Sequence, residues 1–326
     1  MSTLVDDMTS SAASRRTATG LVLAVVSAFS FGLSGALASE LIDHGWSVGA
    51  VVVARIGIAA LVLLPFGIRA LGGQWHLLRA NLRMVLVYGV VAVAGAQFCY
   101  FSAVSRMDVG PALLIEYTAP AAVVVWLWLR HGQRPGRVTI GGAVLAALGL
   151  VLVLDILSGA ALDAAGTAWA LAAMVGAATY FVLSADEDTG VPALTLAAAG
   201  LTVGALVTLV LCVTGLLPWG VSDAHVSYAG ATVAWWVPLL GLGLVTAALA
   251  YATGIMAARK LASRLASFVA LLEVLAGVLF AWALLGQLPG AWQFAGGVLV
   301  LAGVVVVKLG EPRSVAHEPV DQPALG

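Results

Sequence analysis

Three ionisable residues lie inside long runs of the sequence that otherwise carry no charge. They are Arg55, Glu116 and Glu273. If these runs are buried in a membrane, each charge is costly and usually marks a binding site, a proton relay or a structural pair. The three residues are therefore the first candidates for substrate binding or coupling.

Arg55 and Glu116 are predicted to lie at a similar depth. Each is seven residues from the start of its apolar run, at 48 and 109, and both runs are expected to cross in the same direction. At 1.5 Å per residue, both side chains then lie about 10 Å below the same membrane surface. One interpretation is a structural ion pair between two helices. The other is that Glu116 binds a substrate amine or a proton while Arg55 tunes its charge.

Glu273 enters from the opposite surface, eight residues after the start of its run at 265. No basic residue is expected at that depth on a neighbouring helix. An intramembrane carboxyl group of this kind is suited to proton coupling. The structural alternative is a protonated carboxyl group that hydrogen-bonds to a neighbouring helix.

Polar and aromatic side chains inside the apolar runs could line a cavity for a small molecule, although each could instead pack between helices. They are Ser34, Gln97, Tyr100, Tyr117, Tyr180 and Tyr251. The run Gly32-Leu33-Ser34-Gly35 resembles the serine motif of intramembrane proteases, but that chemistry needs a histidine base, and all five histidines lie outside the apolar runs. The sequence also has no phosphate-binding loop and no His/Cys metal spacing. It therefore predicts no catalytic residue, no metal, no cofactor and no use of ATP.

Composition identifies the elements that must position these residues. Of the 326 residues, 62% are hydrophobic and only 10% charged, and the mean hydropathy is +1.06. Soluble domains are about half apolar and about a quarter charged, so this is a membrane protein whose partner is the lipid bilayer. The net charge of −1 gives no basic surface for nucleic acid. Ten helical spans are predicted, near 19–39, 48–68, 84–104, 109–129, 138–157, 166–184, 192–214, 233–256, 265–285 and 291–309.

Basic residues predict the orientation. With both termini in the cytoplasm, thirteen of the fifteen Lys and Arg residues fall on the cytoplasmic side, and only Arg106 falls outside while Arg55 lies within a span. This asymmetry favours a multi-pass protein of the cell membrane with both termini inside. Tryptophans near the span ends, including Trp46, Trp75, Trp219 and Trp292, are expected to form an interfacial belt.

An internal repeat is visible when the chain is shifted by 154 residues. Gly142 then superposes on Gly296, Gly149 on Gly303 and Gln97 on Tyr251. The predicted organisation is an all-α membrane protein of two five-helix repeats, 18–157 and 158–309, flanked by cytoplasmic tails 1–17 and 310–326 without regular structure. An odd number of spans places the second repeat upside down, and inverted repeats are typical of secondary transporters.

The sequence also resembles a known superfamily. The segments "IEYTAPAAVVVWLWL" (Ile115 to Leu129), "GGAVLAALGLVLVL" (Gly141 to Leu154) and "LLEVLAGVLFAWALLGQLPGAWQFAGGVLVLAGV" (Leu271 to Val304) are similar to the EamA-type repeats of the drug/metabolite transporter superfamily. The run Glu116 to Pro120 is similar to the threonine/homoserine exporter branch, which implies export of small amino-acid-like metabolites. The pattern departs from the family at Val274, where a proline is usual, and at Gln133 and Gln287, where an acidic residue is usual.

The residues and the resemblance together predict a secondary transporter that exports a small molecule, with amino acids or related compounds as the leading class and protons as the candidate coupling ion. The alternative is a membrane protein that does not transport, either a scaffold or an enzyme acting on a lipid. A scaffold would have no need for Arg55, Glu116 and Glu273 to face a common cavity.

Overall fold

The structure is a computed structural model that describes residues 2–119, 122, 136–153, 163–186, 188–261 and 263–310. Nearly all of the described chain is helical. The α-helices are α1 (Ser2–Asp43), α2 (Val48–Leu71), α3 (Trp75–Ala80), α4 (Leu82–Val87), α5 (Ala96–Val104), α6 (Val109–Glu116), α7 (Arg137–Val153), α8 (Ala164–Ala185), α9 (Ala193–Val213), α10 (Trp236–Leu240), α11 (Ala250–Lys260), α12 (Ser263–Phe280) and α13 (Ala291–Gly310). Within the described ranges, three π-helices interrupt them: π1 (Tyr88–Gly95), π2 (Gly241–Leu249) and π3 (Ala281–Leu285).

Among the described residues, six continuous helical segments are long and apolar enough to cross a membrane. They are Ala18–Asp43, Val48–Leu71, Leu82–Val104, Ala164–Ser184, Ala193–Val213 and Trp236–Lys260. Shorter apolar helices lie within or close to the bounds of the predicted fifth, ninth and tenth spans. They are Arg137–Val153, Leu272–Leu285 and Ala291–Val307. The predicted fourth span is described only over 109–119 and at Ala122, and its remainder lies outside the described residues. The all-helical membrane architecture is confirmed, and the count of ten spans stays a prediction.

Local sequence explains several helix ends. The side chain of Ser47 accepts a hydrogen bond from the Ala50 N–H at 3.2 Å and caps α2, which ends at Gly72 in the left-handed conformation with φ 58°. Asp163 caps α8 in the same way through the Gly166 N–H at 2.7 Å. The expectation that the N-terminal tail lacks regular structure is wrong, because α1 begins at Ser2. No glycine or proline precedes Gly20, so nothing in the tail ends the helix of the first span.

The outer surface of the bundle is apolar, as a lipid-facing surface requires. Leu61 is 76% exposed and Val213 is 79% exposed. The interfacial belt is only partly as expected. Trp75, Trp219 and Trp292 are exposed, whereas Trp46 is buried and its indole N–H donates a hydrogen bond to the carbonyl oxygen of Ser222 at 2.9 Å. Trp46 therefore holds a loop in place, a role that its position in the sequence does not show.

The two repeats are visible in the geometry. A shift of 154 residues moves π1 onto 242–249, which is π2 without its first residue. The symmetry-related helices α7 and α13 cross where Gly149 faces Gly296 and Val300, and where Gly142 faces Gly303 and Val307. Residue numbers increase along one helix where they decrease along the other, so the two helices are antiparallel. Because these helices are related by the repeat, the repeats are inverted. Backbones approach closely because glycine lacks a side chain.

The two ends of the bundle are called the terminus side and the far side. The terminus side holds Gly20 of α1 beside Lys260, and Gly310 at the end of α13 beside Thr139. The far side holds a hairpin of β1 (Val226–Tyr228) and β2 (Ala231–Val233), which the sequence analysis did not predict. The hairpin region contacts α1 and π3: the Tyr228 hydroxyl donates a hydrogen bond to the Leu37 carbonyl at 2.9 Å, and the Ala229 N–H donates one to the Leu284 carbonyl at 2.9 Å.

Candidate functional site

A cavity of about 120 Å³ lies between the two repeats. The first repeat contributes α1, π1, α5 and α6, and the second contributes α8, α11 and α12. The lining includes six of the nine side chains that the sequence analysis singled out: Gln97, Glu116, Tyr117, Tyr180, Tyr251 and Glu273. The lining continues past Ala24, Ser184 and Ala258, so the cavity runs from mid-depth towards the terminus side.

A hydrogen bond between symmetry-related residues forms one wall of the cavity. The Gln97 side-chain amide donates to the Tyr251 hydroxyl at 3.0 Å, and these residues are 154 positions apart, the repeat shift itself. Each follows its π-helix by two residues, since π1 ends at Gly95 and π2 ends at Leu249. A π-helix rotates the following residues relative to a regular helix and often occurs at functional sites. The matched π-helices thus direct both side chains towards the interface between the repeats.

Arg55 lies behind this wall and not in the cavity. It is 1% exposed, and its guanidinium donates hydrogen bonds to the Gln97 side-chain oxygen and, at 2.6 Å, to the Thr246 carbonyl in π2. The guanidinium carbon also lies 5.1 Å from the centre of the Phe101 ring, a cation–π arrangement. Arg55 therefore supports the pair of Gln97 and Tyr251. Its two terminal nitrogens already donate hydrogen bonds to Gln97 and Thr246.

The expected direct pair between Arg55 and Glu116 is not formed. Within the described part of the chain, ion pairs closer than 4.0 Å join His44 to Glu40 and Arg106 to Asp163. Depth places Arg55 and Glu116 at one level, but the rotation of α2 turns the guanidinium towards Gln97. Arg55 remains within electrostatic range of Glu116 and also of Glu273, for which no basic neighbour was expected.

The two glutamates face the same cavity from different repeats. Both are partly buried, and they lie within electrostatic range of each other. The Tyr117 hydroxyl lies close enough to the Glu273 carboxyl group to interact with it. Such a pair of carboxyl groups can bind a cation or a proton between the repeats. Among the described residues, no three His, Cys, Asp or Glu side chains converge in a way that could hold a metal ion.

Ser34 and Tyr100 are also buried outside the cavity. Ser34 lies about one helical turn from the lining residue Phe31 of α1, in the direction of the far side. Tyr100 lies about one turn from the lining residue Gln97 of α5, in the same direction. The Tyr100 hydroxyl packs close to Gly35, and so does Val109. These residues close the bundle between the cavity and the far side.

Sequence reasoning missed four polar or aromatic lining residues: Ser27, Phe31, Phe181 and Ser184. Phenylalanine within an apolar run carries no signal that separates a lining position from a lipid-facing one. The helical spacing of Ser27 and Phe31 relative to Ser34 could have placed them on one face of α1.

The fold and the cavity together define a class of protein: a membrane-embedded helical bundle of two inverted repeats with a polar cavity at their interface, as in secondary transporters. A family profile described as the EamA-like transporter family matches residues 18–155 and 164–309. The chain therefore belongs to the EamA-like transporter family, of the drug/metabolite transporter superfamily, and contains two EamA repeats.

No curated protein matches this sequence. One solved crystal structure is similar with a TM-score of 0.61 and 21% sequence identity, over 93% of this chain and 99% of that chain. At this identity the likeness is one of fold. It extends over nearly the whole of both chains, so the bundle has the overall arrangement of that structure.

Proposed function

We propose that this protein is a secondary transporter of the cell membrane that exports small metabolites, amino acids or related compounds, in exchange for protons. The observation that carries the proposal is the meeting of Glu116 and Glu273, one from each repeat, in a single cavity at the repeat interface. A structural protein gains nothing from directing two carboxyl groups into a shared cavity, whereas a transporter uses such groups to bind cargo and coupling ions.

The direction of transport follows from the proposed orientation. The distribution of Lys and Arg supports a cytoplasmic location for the terminus side. The cavity, which extends from mid-depth to the terminus side, would then be loaded from the cytoplasm. Loading from inside is the state from which an exporter begins its cycle.

Glu273 is the proposed coupling group. The neighbouring Tyr117 hydroxyl can orient the carboxyl group in both protonation states, because a phenol hydroxyl can donate to a carboxylate and accept from a carboxylic acid. Glu116, across the cavity, is the proposed contact for a substrate amine.

The test is transport by the purified full-length protein in proteoliposomes, with radiolabelled threonine and homoserine and with or without an imposed pH gradient. An opposing proton gradient should accelerate transport by the wild-type protein. Glu273→Gln mimics the protonated side chain, so this variant should still carry substrate but lose its dependence on the gradient. Glu116→Gln is the matched control and should weaken transport at low substrate concentration while the gradient still matters.

Three results would count against the proposal. A Glu273→Gln variant as gradient-dependent as the wild type would place coupling elsewhere, with Glu116 next to be examined. A wild-type protein that ignores the gradient would be a facilitator. A wild-type protein that moves none of the substrates in a wider amino-acid panel would exclude the proposed substrate class.

A further inference from the structure

The hydroxyl group of Tyr251 ends a chain of hydrogen bonds that begins at Arg55. The Arg55 guanidinium donates to the Gln97 side-chain oxygen, and the Gln97 amide nitrogen donates to the Tyr251 hydroxyl oxygen at 3.0 Å. A guanidinium has donors and no acceptor, so the amide must keep its oxygen towards Arg55 and its NH2 group towards Tyr251. Arg55 therefore fixes the direction of the whole chain.

This direction decides what the Tyr251 hydroxyl can offer to a ligand. Its oxygen accepts from Gln97, and among the described residues no acceptor takes its hydrogen. Tyr251 is 2% exposed and lines the cavity. Its ring packs edge-to-face against Phe31, with centres 5.0 Å apart, and against Tyr180, with centres 5.7 Å apart. The hydroxyl is therefore a buried donor, held in place on the cavity wall.

Electrostatics favour an ionised acceptor for this donor. The Arg55 guanidinium keeps its positive charge at any physiological pH, and it lies behind Gln97 within electrostatic range of Tyr251. In a buried region such an attraction is stronger than in water. A hydrogen bond to an ionised acceptor is also stronger than one to a neutral acceptor. A carboxylate beside the Tyr251 hydroxyl thus gains more than an alcohol or an ester does.

We infer that the Tyr251 hydroxyl binds the carboxylate of the cargo, with Gln97 and Arg55 as its positioning residues. A zwitterionic amino acid then has its ammonium group at Glu116 in the first repeat and its carboxylate at Tyr251 in the second. The inference rests on the proposed function, because it takes the cavity as the amino-acid site. It adds that the cargo needs a free carboxylate and names the side chain that binds it.

Binding to the purified full-length protein, measured by isothermal titration calorimetry, compares threonine with threoninol, which lacks the carboxylate. The wild type should bind threonine about tenfold more tightly. Tyr251→Phe removes the hydroxyl and keeps the ring, so threonine should bind about fivefold more weakly while threoninol binding stays the same. Tyr88→Phe is the matched control, because Tyr88 is buried against Gly200 and is not among the described lining residues. It should bind both probes like the wild type.

Gln97→Glu tests the positioning role with a side chain of nearly the same shape. The new carboxylate still accepts from Arg55 but has no hydrogen to donate, so the Tyr251 hydroxyl turns and donates to it. The preference for threonine over threoninol should then fall at least as far as in Tyr251→Phe. A merely structural role of Gln97 would weaken the binding of both probes together and leave their ratio unchanged.

A double variant separates this effect from the added negative charge. With Tyr251→Phe already present, Gln97→Glu should change the ratio of the two affinities little further, because the hydroxyl that it redirects is gone. An effect of charge alone would persist in that background at full size, and the assignment of Gln97 as a positioning residue would then be wrong.

Three results overturn the inference. They are equal or tighter binding of threoninol by the wild type, wild-type binding of threonine by Tyr251→Phe, and a wild-type ratio in Gln97→Glu. Size-exclusion chromatography shows which variants are folded. If Tyr251→Phe is not folded, the ratio in Gln97→Glu decides alone.

The two proposals fail in different ways. A preference for threonine that depends on the Tyr251 hydroxyl, without any transport, would uphold the carboxylate site and reject the exporter function. Gradient-driven transport of threonine that Tyr251→Phe leaves unaffected, at low as well as high substrate concentration, would uphold the exporter and reject the carboxylate site.

Discussion

At the scale of single residues, the position of Arg55 makes a prediction about which side chain it stabilises. Its guanidinium contacts Gln97, so removing either partner should make removal of the other less costly. In a double-mutant cycle, Arg55→Leu and Gln97→Leu should show a coupling of about 1 kcal/mol or more in the free energy of unfolding. The measurement is denaturant unfolding of the purified protein in detergent.

Arg55 and Glu116 provide the comparison for that cycle. Because no direct ion pair joins them in the described structure and they interact only at longer range, Arg55→Leu and Glu116→Gln should be coupled more weakly than Arg55→Leu and Gln97→Leu. Stronger coupling of Arg55 to Glu116 than to Gln97 would reverse the assignment and restore the pairing that depth alone predicts.

The cavity shows how far single residues can be predicted from a sequence. Glu116 and Glu273 stand out because a charge in an apolar run is rare, and the relation of Gln97 to Tyr251 follows from the repeat shift. The hydrogen bond between Gln97 and Tyr251 could not be foreseen, because it depends on two π-helices that have no signature in hydrophobic periodicity. Apolar spacing gives the depth of Arg55 but not the direction in which its side chain turns.

At the scale of secondary-structure elements, the crossing of α7 and α13 should tolerate no added side chain at its glycines. A Cβ on Gly149 would lie 2.6 Å from the Val300 nitrogen and 2.7 Å from the Gly296 oxygen. Because these are backbone atoms, the helices must separate. Gly149→Ala should therefore destabilise the protein by about 1–3 kcal/mol in thermal or denaturant unfolding.

Symmetry and a matched control sharpen this prediction. Gly303 is the repeat mate of Gly149, and a Cβ there would meet the Ala146 nitrogen at 2.5 Å, so Gly303→Ala should cost about as much. Gly141, on the exposed side of α7, has no atom within 4 Å of an added Cβ, so Gly141→Ala should not destabilise the protein, because alanine favours a helix more than glycine does. A loss at Gly141 as large as at Gly149 would mean that the crossing does not explain the effect, since helix propensity alone favours alanine over glycine.

The elements themselves were predictable to different degrees. Long apolar runs predict the positions of the membrane-spanning helices, because a helix lets a single segment pair its own backbone hydrogen-bonding groups in lipid. The hairpin of β1 and β2 was missed because each strand has only three residues and lies in a loop. Its contact with α1, through Tyr228, is a tertiary contact that the local sequence does not show. The helical N-terminal tail was missed because polarity was taken as a sign of irregular structure.

At the scale of the whole molecule, the proposed orientation predicts which loops an impermeant thiol reagent reaches in intact cells. Asp223, on the far side, and Asp188, on the terminus side, are both exposed. In a background without Cys99 and Cys212, Asp223→Cys should be labelled from outside, while Asp188→Cys should be labelled only after the membrane is permeabilised. Labelling of Asp188→Cys in intact cells with protection of Asp223→Cys would invert the molecule and make the cavity face outwards.

Alternating access requires a second conformation in which the far side opens, and the hairpin opposes that conformation. The hydrogen bond from Tyr228 to the Leu37 carbonyl ties the hairpin to α1, next to the layer of Ser34 and Tyr100 that closes the bundle above the cavity. Removing one such bond costs the closed state about 1 kcal/mol, which corresponds to about a fivefold shift towards the open state.

Tyr228→Phe should therefore raise the rate at which a Ser34→Cys side chain is labelled from the far side by about fivefold, in the same background without native cysteines. Thr232→Val is the control, since Thr232 is exposed on the outward face of the hairpin, opposite Ser227. It changes the hairpin without touching α1, so the labelling rate should stay at the starting value. If Tyr228→Phe leaves the rate unchanged, or if Thr232→Val raises it equally, the contact with Leu37 does not hold the far side closed.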